Sequence, residues 1–385
     1  MQRIASIAPL VAQHAGEAAF LWLRRRREID GPFLDEIDIG RIDQRLEANI
    51  EGLMAAGEAG WRAARSQFAD YAEPGEIFVL GAVALLSSDA DAVEAALAAG
   101  AGMGEAGTNG LSGAVARTPR EQLKPFVAEW LDSRDPHRRC LGLAALQHHR
   151  VDPRARLADL MANADAEVRR RALRLAGAFR RRDVLQGVLK ALDAETPRER
   201  LAAAFAACLL GEARLAHPVL DRIVLTQPEM AGQAIELRLL TTPGKAGKEW
   251  LQSRLEQPAL RVAATASIGL FGDRAVMPWL IERMREPALA AAAGLALRDL
   301  FEVDFNDLSL FATDPALLGP DFAGDEALPV ADRVAAWWDQ GRGGQGYGPF
   351  RSMRRLRLDA MRAALAAPEA PLADWRRTQR FPAWM

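Results

Sequence analysis

Six positions, Arg139, Arg169, Arg200, Ala231, Arg261 and Ala290, recur at steps of 30, 31, 31, 30 and 29 residues, and their surroundings recur with them. Three residues after each stands a small side chain: Gly142, Ala172, Ala203, Ala234, Ala264 and Ala293. Three residues before stand Pro136, Ala166, Pro197, Pro228, Pro258 and Pro287. Each of these follows a polar residue: Asp135, Asp165, Thr196, Gln227, Gln257 and Glu286. Proline at one phase of the period predicts a helix start, because its missing N–H would lack an intrahelical partner there and its φ is preset. Asp or Thr just before it can cap the free N–H groups; Gln and Glu are poorer caps. Apolar residues then follow at helical spacing, as in 143–146, 173–176 and 264–268. A second apolar-periodic segment completes each unit, at 157–161, 185–192, 219–225, 250–255 and 276–284. A single hairpin of helices cannot bury its apolar face, so neighbours must stack into a continuous core with capped ends. The expected fold is all-α, an α-solenoid built on a repeat of about 30 residues.

Outside 133–298, where the repeat is regular, the pattern loosens. Residues 73–132 read as two irregular repeats, 76–86 with 89–97 and 111–117 with 121–131, the second entered through the glycine-rich stretch Gly100–Gly110. Residues 1–72 read as a helical N-terminal cap: one helix over 4–28 and a longer one over 41–68, broken near Gly57–Gly60. Residues 299–332 hold nine acids and no Lys or Arg, with prolines at 315, 320 and 329, which predicts a loop or arm. Its charge would draw it toward the basic stretch 134–182; Phe305, Leu308, Leu310 and Phe311 would pack it on the last repeat instead. Residues 333–385 form a C-terminal helical segment, with helices at 331–338 and 351–365 around a glycine-rich turn, Gly341–Gly348.

Composition limits the functional classes. Ala and Leu dominate and strand formers are scarce, as helices require. The formal net charge of −2 supplies no global attraction to nucleic acid or anionic lipid. Two cysteines, Cys140 and Cys208, make no disulfide framework and fit a reducing cytosol. Gln13, His14 and Glu17 interrupt the first apolar run, which therefore reads as an amphipathic helix rather than a secretory signal. No uncharged run of about 18 residues suggests a membrane span. The expected location is cytoplasmic.

Asp165-x-x-Val-Arg-x-x-Ala172 resembles the short HEAT-like repeats. Longer stretches resemble one family of bacterial HEAT-repeat proteins of uncharacterised function. They include His14-Ala-Gly-Glu17-Ala-Ala-Phe-Leu-Trp22-Leu-Arg24, Asp43-Gln-Arg45-Leu46, Ala56-Gly-Glu-Ala-Gly60-Trp61 and Glu73-Pro-Gly-Glu76. Further on come Arg171-Ala-Leu-Arg-Leu-Ala-Gly177, Gly272-Asp-Arg-Ala-Val-Met-Pro278-Trp and Ala335-Ala-Trp337-Trp338. Genes of this family are often found near type VI secretion genes, so the resemblance implies work with a secreted effector or its loading machinery. The chain departs from the family pattern at the acidic arm and toward its C-terminal end.

No motif for catalysis, cofactor or metal emerges. Iron-binding HEAT hydroxylases carry repeated His-Glu pairs, absent here; His148 and His149 diverge on a helix and have no carboxylate nearby in sequence. Gly100–Gly110 lacks the Lys-Ser/Thr of a phosphate loop. No nucleophile stands beside an orienting partner, and 304–307 lacks the Gly and terminal Glu of a calcium loop. Two surfaces remain. The first is a concave face lined by the second helices, fitted to a protein partner, with Arg156, Gln186, Lys190, Arg222, Lys248, Gln252 and Arg283 as contact residues. The second is 134–182, where thirteen Arg against five acids leave a local net of +8. That stretch is either a nucleic-acid groove, since one group of DNA glycosylases uses HEAT-like repeats, or a set of repeat arginines paired within the fold. The leading expectation is a non-enzymatic scaffold or adaptor without cofactor. The alternatives are nucleic-acid binding and an immunity protein that neutralises a toxin.

Overall fold

The structure, a computed structural model, describes residues 7–305, 309–322, 326–341 and 350–368. It is all-α: 21 helices and a single two-stranded hairpin among the described residues. By its internal contacts the chain forms two compact units, described in turn.

Unit 1 covers residues 7–29 and 37–179. It contains α1 (Ala8–Glu28), α2 (Glu36–Ala55), α3 (Glu58–Tyr71), α4 (Pro74–Ser87), α5 (Ala90–Gly102), α6 (Glu105–Arg117), α7 (Arg120–Asp132), α8 (Pro136–His148), α9 (Arg156–Met161) and α10 (Ala166–Ala178). Helices α1, α4, α6, α8 and α10 pack each against the next, while α3, α5, α7 and α9 lie against their flanks. Because α4 and α8 are covered on nearly all sides, their cores run almost unbroken, Ile77–Leu85 and Cys140–Leu146.

Unit 2 covers residues 30–36 and 180–368. It contains α11 (Leu185–Lys190), α12 (Pro197–Leu209), α13 (Ala213–Thr226), α14 (Pro228–Leu240), α15 (Lys245–Leu255), α16 (Arg261–Ala266), α17 (Met277–Met284), α18 (Pro287–Leu300), β1 (Phe311–Ala312), α19 (Pro315–Leu318), β2 (Leu328–Pro329), α20 (Ala331–Asp339) and α21 (Met353–Ala366). Helices α14, α16 and α18 pack in succession; α13, α15 and α17 flank them. Helix α21 crosses this series, touching α12 and α14.

The proline phase places its helices. Helices α8, α10, α12, α14 and α18 begin at Pro136, Ala166, Pro197, Pro228 and Pro287, and Pro258 opens a 3-10 turn leading into α16. Capping follows side-chain chemistry. Asp135, Asp165 and Thr196 accept from backbone N–H groups of their helices, whereas Gln227, Gln257 and Glu286 make no side-chain cap. The recurring arginine has a role that the period alone did not reveal. Arg169 donates to the carbonyls of Asn163 and Ala164 (both 2.8 Å), Arg200 to those of Ala194 and Glu195 (2.9 and 3.0 Å), and Arg261 to that of Leu255 (3.3 Å). Arg169 and Arg200 thus satisfy carbonyls of the turn that leads into their own helix, and Arg261 satisfies the carbonyl of the last residue of α15.

Two expectations need correction. The glycine-rich stretch 100–110 is helical over most of its length, in α5 and α6. The reason is close approach: a Cβ on Gly107 would lie 2.0 Å from the carbonyl oxygen of Gly100, and one on Gly110 would lie 2.7 Å from that of Pro74. The acidic arm is folded in its described parts. Phe311 pairs with Pro329 and Ala312 with Leu328 in an antiparallel hairpin, and β2 packs on α18. Phe305 and Leu310 are buried, and Phe33, Phe305 and Phe311 surround the Arg298 guanidinium at 4.8, 5.7 and 4.2 Å. Burial in that aromatic cage pulls Arg298 down to about 10. Leu308 and most of the turn at 341–348 lie outside the described residues. Trp250 and Trp279 are half-buried, beneath Arg238 and Arg254 and beneath Arg283.

Residues 57–60 reveal a repeated corner. Gly57 sits at φ 56° before α3, and a Cβ on Gly60 would come within 2.0 Å of the Leu53 carbonyl oxygen. Gly104 (φ 60°) and Gly107 do the same before α6, and the Gly-x-Ala-Gly pattern recurs at 244–247 before α15. The first glycine supplies a backbone conformation that L side chains avoid, and the second lets the new helix start against the old one. Gly107→Ala is expected to lower stability by about 1–3 kcal/mol, with Gly102→Ala, which has open space around it, as the neutral control. Urea midpoints of the two variants test this.

Candidate partner-binding surfaces

The seven predicted contact residues fall on second helices, but not on one unit. Arg156 is on α9 in unit 1 and pairs with Asp132 at 3.2 Å. The other six belong to unit 2: Gln186 and Lys190 on α11, Arg222 on α13, Lys248 and Gln252 on α15, and Arg283 on α17. Lys248 is tied to Asp273 (2.5 Å), and Arg283 to Glu286 while stacking on Trp279. Gln186, Lys190, Arg222 and Gln252 are exposed, and among the described residues their side chains have no hydrogen-bond or ion-pair partner.

Helix α13 adds what the reading for polar positions missed. It buries Ala216, Leu220, Ile223 and Val224. On a helix of 3.6 residues per turn, Leu215, Pro218, Arg222 and Leu225 share the opposite side, and all four are exposed. Leu215 and Leu225 are 51% and 56% exposed, values that leave about half of each side chain uncovered. Single exposed leucines are ordinary; two on one stripe beside a proline and an unpaired arginine form a patch. An excess of apolar residues around both sides of 213–226 was the available signal.

The basic stretch 134–182 is mostly engaged within the fold. Arg138 pairs with Glu94 and Glu129, Arg170 and Arg171 with Glu167, and Arg181 with Asp183. Arg180 donates to the Ala364 carbonyl at 2.6 Å. Both cysteines are free and buried, and burial pushes each thiol up to about 12, so neither is a thiolate near neutral pH. His137 bonds Thr108 at 2.9 Å, and His149 approaches the Val115 carbonyl at 3.4 Å. Among the described residues, no group of three or more His, Cys, Asp or Glu is arranged to hold a metal ion. No described helix is long and apolar enough to cross a membrane.

Known proteins do not place the chain. No family model, curated protein or solved structure matches it. The functional reading therefore rests on these surfaces.

Proposed function

We propose that this chain is a non-enzymatic binding protein that docks a protein partner on the second helices of unit 2, centred on α13. The exposed stripe Leu215–Pro218–Arg222–Leu225 carries the proposal. An amphipathic helix is the occupant that suits it: apolar residues meet the two leucines, and acidic flanks meet Lys190, Arg214 and Arg222, none of which has an ion-pair partner among the described residues. The resemblance to a family encoded near type VI secretion genes makes an effector or its loading machinery the first partner to try. Nucleic-acid binding along 134–182 is less well supported, because so many of its arginines already hold carboxylates or carbonyls.

The test is affinity capture from the native host with the full chain and with Leu215→Asp/Leu225→Asp. Each leucine, as a buried anchor, would contribute about 1–2 kcal/mol, so the double variant is expected to lose the partner by at least about tenfold. Its melting temperature should stay unchanged, since neither leucine is in the core. A partner retained equally by the variant would overturn the assignment to α13. Abolition of the partner's toxicity by an equimolar amount of this chain would identify an immunity protein rather than an adaptor.

A further inference from the structure

Arg298, near the end of α18, is a buried cation without a counterion. It is 9% exposed, and among the described residues it makes no ion pair and no hydrogen bond. Its Nη1 is buried without an acceptor. The rings of Phe33, Phe305 and Phe311 surround the guanidinium. Ring faces attract a cation, but they replace neither its water nor a full negative charge. Burial lowers the group's proton affinity, and the charge of Asp304 opposes this without forming an ion pair.

The same side chain borders a recess in unit 2 of about 240 Å³, counting the solvent it opens to. Phe301 and Phe350 are among its apolar walls, and Ser352 and Arg355 bring polar groups to it. Ser352 Oγ accepts the Arg355 backbone N–H at 3.2 Å, and its own hydrogen has no acceptor among the described residues. The Arg355 side chain donates to the Asp299 carbonyl at 2.8 Å and lies 3.7 Å from Glu302, the one carboxylate on the rim. Glu302 is 46% exposed, so water screens its charge.

We propose that this recess binds a single halide ion of chloride size, with Arg298 as its charge partner and the Ser352 hydroxyl as a second donor. Size selects the ligand. The enclosed part has room for a body about as large as one water molecule, which a monatomic anion matches and a phosphate or sulfate exceeds. The ion would brace a joint between three segments. Met353 and Arg354, at the start of α21, donate to the carbonyls of Leu34 (2.8 Å) and Gly31 (3.0 Å), and the Phe350 N–H donates to that of Glu302 (3.3 Å).

Thermal melting of the full chain in sodium chloride, bromide and gluconate at equal ionic strength is the first measurement. Gluconate is too large for the recess. Each halide is expected to raise the melting temperature by about 2–4 °C over gluconate when present at about ten times its Kd, along a saturating curve. Arg298→Met, whose side chain suits an aromatic surround, should lose this dependence. Crystals of the wild-type chain soaked in bromide give a reading that needs no variant: an anomalous peak is expected in the recess beside Arg298. The absence of a halide-specific shift in the wild type would overturn the proposal, as would a shift kept in full by Arg298→Met. A recess holding water but no bromide would also overturn it, by leaving Arg298 solvated rather than neutralised.

Discussion

Glu236→Ala is expected to lower the unfolding free energy by about 3–5 kcal/mol, the cost of taking from two buried guanidinium groups, Arg354 and Arg357, the carboxylate they share. The side chain lies at the centre of the contact between α14 and α21. Arg357, 4% exposed, donates both terminal nitrogens to its carboxylate at 2.9 Å, and Arg354 approaches it at 3.2 Å. Arg354 also holds Asp299 at 3.0 Å, and Arg357 lies 3.5 Å from Asp30, so four segments of unit 2 meet here. Burial alone would pull Arg354 down, but Asp299 and Glu236 more than offset it and hold the group above its ordinary value. Burial raises Asp299 despite Arg354. The Glu236 carboxylate and the two terminal nitrogens of Arg357 satisfy each other only while both side chains are present. Glu236→Met combined with Arg357→Met should thus lose less than the sum of the single changes, since no charge of that pair is left stranded. Urea unfolding of the three variants provides the comparison. A loss below about 1 kcal/mol, the scale of an exposed pair, would show that water reaches the site.

The second large effect concerns pH. Burial holds His148 down to about 4, with the charges of His149, Arg171 and Arg25 acting in the same sense. The unfolded chain takes up this proton as pH falls through 6.5, whereas the folded chain resists until about 4. Stability from this group is therefore complete above 6.5, declines as pH falls through the window, and levels off below 4. A shift of that size corresponds to about 3 kcal/mol at most, and residual solvent contact reduces the expected value to about 2 kcal/mol. His148→Gln removes the titration. Between pH 7 and 4 the variant should lose about 2 kcal/mol less than the wild type; parallel curves would refute the assignment.

The sequence by itself determined where the helices at the recurring proline phase begin and which of their preceding side chains cap them. Pro136, Pro197, Pro228 and Pro287 act within one turn, through a preset φ and a missing N–H, and Asp135 and Thr196 act on backbone N–H groups two or three residues away. Such chemistry needs no distant partner, so a period could be read directly. Even the break before α3 was visible as Gly57–Gly60, although the reason for its second glycine, the Leu53 carbonyl, was not. Only the tertiary structure decided that Arg357 meets Glu236 across 121 residues, that the acidic arm pairs Phe311 with Pro329, and that Arg171 reaches Ser112. It also decided which apolar residues of α13 stay outside the core. Helical periodicity specifies the faces of one segment; the burial of a charge or the exposure of a leucine depends on which other segment covers that face, and this is set only when the surfaces meet.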